Sequence, residues 1–139
     1  MIENYYSKVE PNKLLHIVHR LESTSTRVNI IPENNFLQCS FMGLEKNQTF
    51  KAHKHIEKNR SYTNQIAQES WIVVKGKIKA IFYDIDDFLL AEVILNPGDA
   101  SFTLYGGHNY LILEENTIVY EYKTGPYEGQ DLDKEFLKG

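Results

Sequence analysis

Five histidines, one cysteine and a handful of carboxylates carry most of the chemical potential of this 139-residue chain. His53 and His55 form an HKH pair in the run TFKAHKH. In a strand, residues two apart point to the same face, so both imidazoles can reach one ion. Neutral imidazole suits Zn, Fe, Ni or Cu. Taken alone, the pair reads as two solvated histidines beside Lys51, Lys54 and Lys58. Glu69 opens ESWIVVKG, where alternation puts it on one face with Trp71 and Val73. A carboxylate on an apolar face needs a partner, because an unpaired buried charge is costly; at a sheet edge it would simply meet water. His108 follows Gly106–Gly107 and precedes the strand-like YLIL, a place that also suits a plain turn histidine. Together, His53, His55, Glu69 and His108 offer three nitrogens and one oxygen, a donor set for a catalytic divalent metal with an open position.

Other side chains carry two readings each. Tyr110 shares its face with His108 and is the candidate proton donor to a substrate; as a structural residue it fills the interior with its hydroxyl at the rim. Glu121 and Lys123 share a face on TIVYEYK, and the solvated reading is preferred for both. Gln38 and Ser40 carry the same ambiguity. Gln65 or Gln68 are alternative oxygen ligands to Glu69. Cys39 reads as a small buried hydrophobe. Lys75, Lys77 and Lys79 alternate on an exposed face, and Asp84, Asp86 and Asp87 form a hairpin turn. His16 and His19 have no sequence reason to join the site. No phosphate-binding glycine loop and no Ser–His–Asp set is present.

The elements that must position these groups are strands. RVNII, FLQCSFM, TFKAHKH, SWIVVK, KIKAIFY, FLLAEVIL, YLILEE and TIVYEYK are short runs rich in β-branched and aromatic residues. Gly, Pro, Asn and Asp separate them, which is turn chemistry. Even spacing of such runs predicts an all-β antiparallel sandwich or barrel, and the lack of long βα alternation argues against a doubly wound sheet. LLHIVHRL at 14–21 fits helix or strand, and residues 1–13 are expected as an N-terminal arm. The length suits one domain. With 15 basic and 19 acidic residues, the net charge of −4 argues against nucleic acid or an anionic membrane as partner. The lone Cys39 fits a reducing compartment. No apolar run reaches membrane-span length and MIENYYSKVE is unlike a secretory signal, so a cytoplasmic protein is expected.

These residues bring the chain close to a known family. It resembles the cupins, small antiparallel jelly-roll β-barrels. Their first motif places an HxH pair, a Glu, and a Gly seven residues later; His53, His55, Glu69 and Gly76 match. Asn47 stands where that motif usually has Gly, and IEKNRSYTNQIAQ is an insertion before Glu69. Their second motif holds a PGD-like turn and then a His; Pro97–Gly98–Asp99 and His108 match. The resemblance implies a barrel over 36–124, an arm and leading strands over 1–35, a tail over 125–139, and a homodimer. It also implies one divalent metal ion (Zn, Fe, Ni or Mn) on His53, His55, Glu69 and His108. From Gly107 through YEYKTGPY to DLDKEF the chain is similar to small cupins of the WbuC type, associated with bacterial surface-polysaccharide gene clusters. The expected function is therefore metal-dependent isomerisation or epimerisation of a small carbohydrate-type metabolite. An iron-dependent dioxygenase and a non-catalytic sugar- or small-molecule-binding barrel are the alternatives.

Overall fold

A computed structural model describes residues 1–57, 66–125, 129, 131 and 135–137. Among the described residues there are ten strands: β1 (Ile2–Tyr6), β2 (Leu14–His19), β3 (Arg27–Asn29), β4 (Ser40–Met42), β5 (Glu69–Lys75), β6 (Ile78–Tyr83), β7 (Leu89–Leu95), β8 (Ala100–Thr103), β9 (Gly107–Ile112) and β10 (Ile118–Lys123). The all-β expectation therefore holds. All pairings are antiparallel. They link the strands into three sheets, ordered β1-β2-β8-β5-β10, β3-β4 and β7-β6-β9.

The five-stranded sheet is covered on both faces. On its inner face Val18 and Val73 pack against Ile78, Ala80, Phe82, Val93 and Leu95 of the three-stranded sheet. On its outer face Ile17, Ala100 and Phe102 pack against Ile30 and Ile31, flanked by Leu37, Cys39 and Phe41 around the β3–β4 hairpin. Two-sided burial explains why β2 and β8 do not show the alternation of a half-exposed strand. Five of six residues of β2 and all four of β8 are buried.

Four local expectations change. Residues 2–6 are no arm but an edge strand laid along β2. The ambiguous stretch LLHIVHRL is a strand, because its polar residues find partners inside the sandwich. TFKAHKH, expected as a strand, is irregular and exposed through 49–57. β8 was not anticipated, since its small polar residues Ser101 and Thr103 interrupt the apolar pattern that marks a strand.

Turn chemistry follows the expected separators. Gly76 joins β5 to β6 at φ +89°, and a Cβ there would sit 2.8 Å from Thr117 Cα. Asn47, within the Gly43–Gln48 separator, has φ +71°; asparagine is among the few residues that tolerate this region. Asp99 of the Pro97–Gly98–Asp99 turn accepts from Asn96 N (2.9 Å), Leu21 N (3.1 Å) and Arg20 Nη1 (2.8 Å), tying the turn to the end of β2.

Candidate functional site

The antiparallel register builds two polar rows across the inner face of the five-stranded sheet. Thr103 of β8 lies opposite His16 on one side and Glu69 on the other, and Glu69 lies opposite Lys123. One pleat further on, Ser101 lies between Val18 and Trp71, and Trp71 faces Glu121. From the facing sheet β9 adds His108 to the first row and Tyr110 to the second.

Hydrogen bonds along the first row determine where the protons sit. His16 Nε2 is 3.1 Å from the Tyr83 carbonyl, which only accepts, so Nε2 carries the hydrogen. Its Nδ1 then accepts from the Thr103 hydroxyl at 3.0 Å. With its own hydrogen committed, Thr103 Oγ1 accepts from His108 Nδ1 at 2.8 Å. The tautomers follow from these partners. His108 is thereby oriented with Nε2 toward Glu69 Oε1, 3.5 Å away. Burial drives the His16 imidazole down to about 4, so it acts as a neutral relay. Its ring also stacks on Phe82, 4.4 Å between centroids.

The carboxylates meet at Trp71. Its indole N–H is shared between Glu69 Oε1 (3.1 Å) and Glu121 Oε1 (2.9 Å). Burial, and then the hydrogen bond and charge of Glu121, push the Glu69 carboxyl up to about 7; the Trp71 hydrogen bond and the Lys123 charge work the other way. Like charges this close favour one shared proton. Tyr110 stacks flat on Trp71 (3.8 Å, 6°), and its hydroxyl bonds Ser101 Oγ at 2.9 Å. Burial raises its phenol far above the ordinary range, so it stays neutral. The cluster thus combines an oriented imidazole with a carboxyl poised near neutrality, suited to proton transfer at a bound small molecule.

Of the sequence candidates, the structure brings together Glu69, His108 and Tyr110. Glu121, expected to be solvated, instead bonds the Trp71 indole; Lys123 lies opposite Glu69 on the adjoining strand. His53 and His55 lie near each other, ring centroids 5.6 Å apart, on the exposed irregular segment, with His53 Nδ1 2.8 Å from the Lys51 carbonyl. Glu69 Oε1 and His108 Nε2 face each other at 3.5 Å, an oxygen and a nitrogen of the kinds that bind divalent ions. Among the described residues no three His, Cys, Asp or Glu side chains stand together as one metal-binding group. Gln68 is buried with its amide committed: Oε1 accepts from Leu37 N (2.9 Å) and Nε2 donates to Asn35 Oδ1 (3.1 Å). Gln65 lies outside the described residues. Thr103, Ser101 and His16 were missed, and only the pairing of β8 with β2 and β5 could have revealed them.

Among the described residues no helix is long and apolar enough to cross a membrane. No protein-family profile, curated protein sequence or solved structure matches the chain significantly.

Proposed function

We propose that the chain is a cupin-type jelly roll whose inner-face cluster catalyses proton transfer on a small carbohydrate-type metabolite, as in isomerisation or epimerisation. The observation that carries this reading is the Thr103-oriented His108 imidazole, facing Glu69 at 3.5 Å. The jelly-roll part rests on strand order. β5, β8 and β10 share one sheet while β6, β7 and β9 share the other, as in two facing Greek-key sheets. The substrate class rests on the resemblance to WbuC-type cupins and a role in surface polysaccharide biosynthesis. A cytoplasmic homodimer belongs to the same reading.

In this scheme His108 Nε2 accepts a proton from a carbon or hydroxyl of the substrate. Glu69, protonated near neutrality, returns one at a second position, so no electrons are gained or lost. Thr103 and His16 hold the imidazole in its tautomer. Trp71 and Tyr110 wall the site against water, which strengthens its electrostatics. The metal-dependent form of the reading is separate from this scheme: a divalent ion on Glu69 and His108 with His53 and His55 would occupy the His108 Nε2 lone pair and the Glu69 carboxylate, and would itself supply Lewis-acid polarisation of a substrate oxygen.

The test is incorporation of solvent deuterium, followed by NMR, into free and nucleotide-activated hexoses. Exchange in the parent, reduced about 100-fold or more in His108→Ala, is expected. No exchange in any sugar, or equal exchange in the variant, would discard the proposal. The metal component has its own readout. Elemental analysis of protein purified without chelator should find a divalent ion that the His53→Ala/His55→Ala variant loses; full retention removes those two residues from the ligand set.

A further inference from the structure

Glu69 and Ser70 are neighbours on β5 and therefore point to opposite faces of the sheet. On the outer face, away from the acid–base cluster, lies a cavity of about 230 Å³. Leu37, Cys39, Ile72, Phe102 and Tyr122 form its largely apolar wall, and Ser70 lies among them. Ser70 is only 2% exposed. Its hydroxyl has no hydrogen-bond partner among the described residues. A buried hydroxyl left unpaired costs about 1–3 kcal/mol, so a donor-acceptor in an otherwise apolar pocket marks where a ligand's polar atom would be favoured.

The roof of this cavity is held in place. Gln68 binds Leu37 N and Asn35 Oδ1, fixing the 35–37 segment over β5. Gln38 Nε2 donates to the Asn35 and Pro32 carbonyls, at 2.7 and 3.2 Å, so that side chain is also committed. The pocket is thus formed by anchored chain and needs little ordering when a ligand enters, which lowers the entropic cost of binding.

We infer that this outer-face cavity is a second small-molecule site, selective for a single-ring, mainly apolar compound bearing one hydroxyl, which pairs with Ser70. Size supports the class. An engineered apolar cavity of about 150 Å³ accepts benzene, so this volume suits one ring with one or two small substituents. It falls below the roughly 300 Å³ at which drug-sized ligands begin to fit. This inference goes beyond the proposed acid–base function and uses none of its residues.

p-Cresol and toluene differ by the one hydroxyl and serve as probes. Titration followed by NMR should show p-cresol binding with a dissociation constant on the order of 0.1–1 mM. Ser70→Ala should weaken p-cresol about fivefold and leave toluene unchanged. Cys39 gives a readout in the unmodified chain. At ten times the dissociation constant, p-cresol should slow its alkylation by iodoacetamide about tenfold, since only the unoccupied fraction reacts. His108→Ala should bind p-cresol as the parent does, so the two proposals fail separately. Absence of p-cresol binding, equal effects of Ser70→Ala on both probes, or unprotected Cys39 would each overturn the site.

Discussion

Thr103 is the residue on which the inner-face cluster turns. Its single hydroxyl gives its hydrogen to His16 and takes one from His108. Thr103→Val keeps the shape and removes both bonds, leaving His16 Nδ1 buried without a partner. A loss of about 2–3 kcal/mol is expected in chemical denaturation; a loss below about 0.5 kcal/mol would contradict the proton assignment. Two opposing titrations then shape stability against pH. His16 falls from an ordinary 6.5 to about 4 on folding, so the unfolded chain binds more protons across that window and stability is lost as pH drops through it. Glu69 rises from 4.5 to about 7, so there the folded chain binds more protons and stability declines as pH rises. Between about 4.5 and 6.5 the two slopes offset each other. Glu69→Gln removes one of them, and its stability should climb with pH more steeply than that of the parent. Parallel profiles from denaturation at a series of pH values would count against the raised carboxyl.

At the scale of elements, the strand ends are secured by turns and by the buried carboxylates Asp84 and Asp99. Asp84 closes β6 and accepts from Ser7 Oγ at 2.6 Å, Lys8 N at 2.7 Å and Ile85 N at 2.7 Å. Burial opposes its charge, yet these hydrogen bonds outweigh burial and hold its carboxyl below the usual range. Asp84→Asn aims an N–H at a donor in either orientation, since Ser7 Oγ and Ile85 N point at Oδ1 and Lys8 N at Oδ2. A cost of about 1–3 kcal/mol is expected, with β1 amides exchanging faster in hydrogen-exchange experiments. Gly76→Ala meets two penalties: a left-handed backbone, about 1–2 kcal/mol, and Thr117 in the way. Its midpoint for thermal unfolding should drop well below the parent's; an unchanged midpoint would mean that the β5–β6 turn has a different shape. Much of this scale was legible in the sequence. Alternation placed Glu69, Trp71 and Val73 on one face, and separators such as Gly76 and Pro97–Gly98–Asp99 marked turns, because strand period and turn residues are local properties. β8 and β1 were not legible, since one is buried on both faces and the other is polar.

For the whole molecule, the exposed edge strand β10 bears on assembly. Ile118, Tyr120 and Tyr122 are all more than half exposed on its outward side. Among the described residues β10 ends its sheet, and an edge bearing apolar and aromatic side chains is a place where sheets join. If the proposed homodimer forms there, sedimentation equilibrium should give twice 16.2 kDa, and Tyr120→Lys with Tyr122→Lys should return the monomer. A parent that is monomeric at all concentrations would refute the dimer.

The amino-acid order by itself determined that this chain is all-β, that its strands are short and antiparallel, and that Glu69 shares a face with Trp71 and Val73. Those properties depend on near neighbours along the chain. Only tertiary structure decided that β8 runs between β2 and β5, and hence that His16, Thr103 and His108 join in one hydrogen-bonded line. It also decided that Glu121 meets the Trp71 indole beside Glu69, and that His53 and His55 lie on exposed irregular chain. Each of these depends on strands distant in sequence, whose pairing is set by which faces can be buried together rather than by any local pattern.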